Sequence, residues 1–353
     1  MTATTERPAR TTAPVLTPTK LRPRHLLLGV LALVLCTLLS VLLGAAELGW
    51  QRVLGEIAAQ LTGGVSPLSE REAAILWELR VPRVLLGVLV GAALAVSGAA
   101  FQGVFRNPLA DPYLLGSAAG AGLAVTVVIT TAPQAASGPV VQLAAFAGAL
   151  GGVGLTWVVG RTAGQDTATL VLAGVAVGAF LTAGQTFAMQ LRVDSLQQVY
   201  MWILGRLTTT GWREVLVVLP HLVAAGVVLW VCARLLDLLG TGDEEAAALG
   251  VRPGRVRAVV LVAASLATAA AVSVAGLIGF VGLVVPHLVR LAVGGTYRII
   301  VPLSLLYGGV FLVSADMLAR TLLAPAEIPI GVITAFTGAP FFAVLLQTRK
   351  RHA

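Results

Sequence analysis

The chain has 353 residues, of which 57% are hydrophobic and only 11% charged, and it carries a formal net charge of +8. A soluble domain holds about a quarter charged residues, so this sequence cannot clothe an ordinary water-facing surface, and its mean hydropathy of +0.91 points to a polytopic membrane protein. Nucleic-acid binding is excluded by pattern, because the arginines stand as singles and pairs between apolar runs and form no basic stripe.

In chain order, residues 1–24 are rich in Thr, Pro and Arg and lack apolar periodicity, which predicts a disordered cytoplasmic tail. Residues 25–46 form the first apolar run. Arg22 and Arg24 before it, and Ala45-Ala46 near its end, would suit a signal peptide. The run is longer than the roughly 7–15 residues of a signal-peptide core, so it reads as a retained helix. Residues 47–80 read as a polar, acidic-leaning loop. Further spans are expected at 81–104, 113–132, 139–160, 168–190, 213–236, 257–276, 278–293, 299–321 and 329–347. The fold class is therefore all-α, with about ten transmembrane helices in one domain, residues 25–348, and a short tail at 349–353. With the N-terminus inside, the basic residues fall about two to one on the inner side, which predicts that both termini are cytoplasmic.

Several chemistries find no support. A P-loop needs a lysine after its glycines, GxxxxGK[ST]. The two lysines, Lys20 and Lys350, lie in the tail and at the extreme C-terminus, without that pattern. An ion-coupled secondary transporter would place several ionisable groups within the membrane, yet the spans offer chiefly Asp316, with Arg320 one helical turn away. His25, His221, His287 and His352 are scattered, and no HExxH occurs, so neither intramembrane catalysis nor a metal centre is expected. Cys36 and Cys232 sit inside apolar runs and imply no disulfide framework. Glycines at four-residue spacing (Gly87 and Gly91, Gly116 and Gly120, Gly148 and Gly152, Gly174 and Gly178) read as faces for close helix packing.

Three blocks carry more information. The segment from Arg80 to Gly116, RVPRVLLGVLVGAALAVSGAAFQGVFRNPLADPYLLG, is a membrane span that stops at a stiff polar corner, Arg106-Asn107-Pro108-Leu109-Ala110-Asp111-Pro112. There two prolines block the helix, and Asn107 and Asp111 can bond the freed backbone. GFVGLVVPHLVRL follows at Gly279–Leu291, and AEIPIGVITAFTGAPFF at Ala326–Phe342. In wording and order these blocks resemble the FecCD-type permease subunits of ABC importers for iron–siderophore complexes, haem or cobalamin, the type II, vitamin B12 permease-like bundle.

The resemblance implies partners and roles. The permease would pair with a second copy or a close paralogue, with two ABC ATPase subunits below and a periplasmic or lipoprotein substrate-binding protein above. ATP and Mg would sit on the ATPase, so this chain would bind no cofactor of its own. Between the sixth and seventh spans, residues 238–256 form a cytoplasmic loop. Asp243, Glu244 and Glu245 open a short helix, where the helix dipole favours negative charge. Ala246, Ala247 and Leu249 give it a small apolar face, and Gly250 suits its C-cap. By residues alone this is equally an ordinary surface helix; the resemblance makes it the coupling helix that enters the ATPase. The same comparison implies that Arg80, Arg83 and Arg320 dock the binding protein, with interfacial snorkelling of the first two and pairing of Arg320 with Asp316 as plainer readings. The inner gate maps onto Asn107, Leu109 and Thr167, although Asp166 stands where a small hydroxyl residue would be more familiar. His287, beside Pro286, reads as structural rather than as an iron or haem ligand.

Overall fold

The computed structural model describes residues 21–44, 48–136, 138–164, 167–207 and 211–350, and among them every regular element is helical. Each of the ten expected spans coincides with a helix. Seven are long and apolar enough to cross a bilayer, and three, Ser117–Thr131, Val281–Val293 and Ile330–Val344, are shorter apolar helices. The expected tails at 1–24 and 349–353 fall mostly outside the described residues. Within them, the first helix already begins at Pro23 and the last runs to Lys350.

The first helix, α1 (Pro23–Leu42), starts on a proline, whose missing N–H costs nothing in a first turn. The expected loop at 47–80 is largely helical instead. Helix α2 (Trp50–Thr62) is amphipathic: Val53 and Glu56 turn inward, whereas Trp50, Leu54 and Leu61 are exposed. The next helix, α3 (Glu70–Val104), begins well before the expected span. Its start is fixed by a capping box in which the Ser69 hydroxyl takes the Glu72 N–H and the Glu72 carboxylate takes the Ser69 N–H at 2.9 Å. A π-helical stretch at Ile75–Arg80 joins this extension to the apolar part.

After the corner come α4 (Ser117–Thr131), α5 (Gly138–Ala163), α6 (Thr167–Gln190), the short α7 (Leu196–Ile203) and α8 (Arg213–Leu239). A six-residue helix, α9 (Asp243–Ala248), precedes α10 (Pro253–Ala275), α11 (Val281–Val293), α12 (Tyr297–Thr321) and α13 (Ile330–Lys350). Prolines 82, 220, 286, 302 and 340 lie inside helices, which a membrane bundle tolerates because neighbours re-satisfy the backbone.

Helix α3 is the axis of the bundle, with every residue from Val90 to Val104 buried. Helices α8, α10, α11 and α12 pack around it, while α4, α5 and α6 form a second group joined to the first through α10 and α5. The small residues explain the closeness. A Cβ at Gly91 would overlap the Gly308 carbonyl, one at Gly98 the Gly282 carbonyl, and one at Gly120 the Gly148 carbonyl. Helix backbones meet there directly, and packing supplies the association that lipid cannot drive. Gly178 is the exception among the spaced pairs, since a Cβ there would meet nothing. Helix α6 turns Leu172, Phe180 and Phe187 outward, and α13 does the same with Phe336.

Candidate coupling helix, gate and docking face

The loop at 238–256 folds around α9. Gly242, at φ +135°, turns the chain into the helix, and Gly250, at φ +81°, turns it out. The Val251 N–H reaches the Ala246 carbonyl at 3.0 Å and the Gly250 N–H reaches that of Ala247 at 2.9 Å, the paired closure that a left-handed glycine allows. Gly250 therefore ends this helix as its sequence suggests. The expected apolar face needs one correction. Ala246 is fully buried on the side turned to the bundle, so the face open to a partner comprises Ala247, Ala248, Leu249 and Gly250. Glu244 and Glu245 are exposed beside it.

Asp243 shares the inward side and is held by two arginines. Arg257, from the first turns of α10, donates from Nη2 to Asp243 Oδ1 at 2.6 Å. Arg106, from the corner after α3, donates from Nη2 to the same oxygen and from Nε to the Leu239 carbonyl at 2.6 Å. The Arg257 hydrogen bond, helped by Arg106, holds the Asp243 carboxyl below the usual carboxylate range against a smaller opposing effect of burial. Arg106 reaches this position with a positive φ of +49°, uncommon for a side-chain-bearing residue. Nothing local in the sequence joins Asp243 to the corner.

The next residue of the corner is Asn107. Its Oδ1 accepts the Leu109 N–H at 2.9 Å, and Asp111 Oδ1 accepts the Tyr113 N–H at 2.8 Å, so both polar residues satisfy backbone that the prolines leave open. Leu109 is 43% exposed at the tip of the corner. Thr167 opens α6 and lines a cavity together with Val104 and Phe105, the residues that lead into the corner. Asp166 lies outside the described residues. Tyr113 ties the far end of the corner to the α10–α11 break, its hydroxyl donating to the Ile278 carbonyl at 3.1 Å.

At the other end of α3 the three arginines are already engaged within the chain. Arg80 is buried and donates to the Val41 carbonyl at 2.9 Å. Arg83 bonds Asp316 and Glu327, each at 2.9 Å, and its side chain is 17% exposed. Arg320 is buried, stands 2.9 Å from Asp316, and reaches the Ser40 hydroxyl at 2.7 Å and the Leu43 carbonyl at 3.3 Å. This cluster fastens the end of α1 to α3 and α12. Asp316 is the buried carboxylate shared by the two arginines, with Glu327 a second and more exposed partner of Arg83, so Asp316 is costly to remove. His287 is buried beside Phe341, the ring centroids 6.0 Å apart, in a packing position.

A profile of the FecCD transport family matches residues 32–348. The chain belongs to that family. It is 43% identical over 307 residues to the cobalamin import system permease protein BtuC of Halobacterium salinarum, covering 87% of this chain and 81% of that one. The hemin transport system permease protein HmuU of Yersinia pestis is 40% identical over 278 residues, covering 78% of this chain and 83% of its own length. The Fe(3+)-citrate import system permease protein YfmD of Bacillus subtilis is 38% identical over 277 residues, or 78% and 82% of the two chains. A metal-chelate type ABC transporter solved in an inward-facing conformation superposes with a TM-score of 0.80 at 27% identity, over 93% of this chain and all of that one. This FecCD protein is thus the permease subunit of an ABC importer, and ATP hydrolysis belongs to separate subunits.

Proposed function

We propose that this chain is one half of a dimeric permease in the cytoplasmic membrane, pairing with an identical copy or a close paralogue to import an iron–siderophore complex. The observation that carries the mechanism is the clamp of Arg106 and Arg257 on Asp243. Two ATPase subunits, holding ATP and Mg, would receive the exposed Ala247–Gly250 face on the cytoplasmic side, the side that the arginine bias assigns to the corner and to both termini. Movement of α9 would draw Asp243, and through Arg106 the corner with Asn107 and Leu109, so that nucleotide state reaches the gate.

A substrate-binding protein would dock at the opposite face. Arg83 is the most accessible of the three arginines there, and a partner's acids would compete with Glu327 for it. Arg80 and Arg320 would act beneath the contact, by holding the helix ends in place.

The cargo reading rests on chemistry. The groove between α4, α6 and α7, about 450 Å³, offers Thr182, Gln185, Thr186 and Tyr200 beside Gly116 and Gly178, with no carboxylate or imidazole among its lining residues. Such a wall suits a complex whose metal is already wrapped, as in a ferric siderophore, haem or cobalamin, and not a bare ion. Cobalamin is the second reading, favoured by the 43% identity to a cobalamin import permease. Uptake of radiolabelled ferric siderophore, haem and cobalamin by cells with and without this chain tests the assignment. Ferric siderophore uptake that depends on the chain is expected, and uptake of cobalamin alone would overturn the iron reading.

A further inference from the structure

On the corner side of the bundle the ends of α3 and α5 and the starts of α6 and α10 enclose a cavity of about 330 Å³. Its floor is apolar, with Phe105, Trp157 and Leu170, and its rim carries Arg161, Arg255 and Arg257. Arg161 and Arg255 are exposed and have no hydrogen-bond or ion-pair partner among the described residues. Arg257 spends Nη2 on Asp243, and its buried Nε has no hydrogen-bond partner. The one described carboxylate paired with this rim, Asp243, is itself shared with Arg106. Among the described residues positive charge is therefore in excess over an apolar floor, at the level where membrane helices end.

We propose that this cavity binds an anionic phospholipid, its phosphate against the arginines and the first part of an acyl chain over Phe105, Trp157 and Leu170. Each part of the cavity then has a use. A free phosphate would leave the apolar floor empty, whereas a lipid meets the charged rim and the apolar floor with one molecule that the membrane already supplies at this level. Tryptophan at this depth matches the interfacial belt, and basic pockets between helix ends are the usual seats of anionic head groups. The site shares Arg257 with the clamp on Asp243, so an occupied pocket would hold that guanidinium in place while it grips the coupling helix. The proposal goes beyond the transport assignment and does not depend on which chelate is carried.

The test uses the intact permease in nanodiscs of phosphatidylcholine, with or without phosphatidylglycerol, followed by native mass spectrometry of retained lipid and by thermal unfolding. Wild-type protein should retain phosphatidylglycerol and unfold at a higher temperature in its presence. The double variant R161Q/R255Q, which leaves Arg257 on Asp243, should bind it about thirty-fold more weakly, the effect of losing two cationic contacts near the surface. R298Q, which removes an arginine paired instead with Asp237, should retain it as wild type does. Equal behaviour of wild type in the two lipid mixtures overturns the proposal without any variant. Retention unchanged in R161Q/R255Q also overturns it, and accompanying loss of ATPase association would assign the arginines to a protein contact. Stabilisation by inorganic phosphate equal to that by phosphatidylglycerol would make this an ion site and overturn the lipid assignment.

Discussion

Replacing Arg106 with alanine should separate ATP hydrolysis from transport. The side chain makes one charge-assisted hydrogen bond, to the Leu239 carbonyl at 2.6 Å, and one ion pair, to Asp243, in which the two side chains are 37% and 47% exposed. The first contributes about 1.5–3 kcal/mol, and the second, being open to solvent, about 0.2–1 kcal/mol. Their loss therefore weakens the link between the corner and the 238–256 loop, Leu239 at its start and Asp243 on its short helix, by about 2 kcal/mol, or roughly thirty-fold in the equilibrium between linked and unlinked arrangements. Neither contact lies in the buried part of α3, so insertion and ATPase association should persist. In proteoliposomes containing the ATPase and binding protein, ATP turnover should continue while cargo moved per ATP falls at least about tenfold. Arg106→Lys, which keeps the charge but not the planar fork, should fall between the two. An unchanged ratio of cargo to ATP in Arg106→Ala refutes transmission through this clamp, as does parallel loss of ATPase binding, which would make Arg106 a structural support only.

Asp316→Asn should be far more damaging to stability, by about 3–5 kcal/mol, because it strips Arg83 and Arg320 of their shared buried carboxylate; thermal unfolding in detergent measures it, and an unchanged midpoint would refute it. Gly250→Val forces a β-branched side chain into φ +81°, at a cost of about 1–2 kcal/mol, and Ala247→Arg puts charge on the exposed face; both should lower ATPase co-purification without affecting membrane insertion, whereas Ala246→Arg, aimed into the bundle, should lower the yield of folded protein. Asp243 is held below the ordinary carboxylate value of about 3.9, so its contribution is full above that pH and disappears as the pH falls through its lower folded value. The difference in thermal midpoint between wild type and Asp243→Asn should therefore stay level from about pH 8 to about pH 5 and shrink as the pH falls below about 3.9.

The long helices were legible in the sequence because apolar length alone defines a span, and Gly250 was legible because only a left-handed cap needs glycine there. Other features were hidden for identifiable reasons. The helical stretch at 50–80 was obscured by its polar residues, although Ser69 and Glu72 spell the capping box that starts α3. Ala246 could not be assigned to the inner face because a six-residue helix holds too little periodicity to fix its rotation. The Asp243 clamp joins residues 137 positions apart, a pairing that no local pattern announces. The arginines at 80, 83 and 320 were marked for docking by the family resemblance, but their burial depends on how α1 lies across α3 and α12.

The backbone contacts along α3 also bear on how the permease moves. Where Gly91 meets Gly308 and Gly98 meets Gly282, carbonyls occupy the space that side chains would fill. Sliding one helix along another would carry these seats onto larger neighbours such as Leu94 and Leu312, both buried in the same packing. Helices α3, α11 and α12 are thus keyed together as a single stiff strut. Switching between outward and inward states would then leave this strut intact and turn the remaining helices about it.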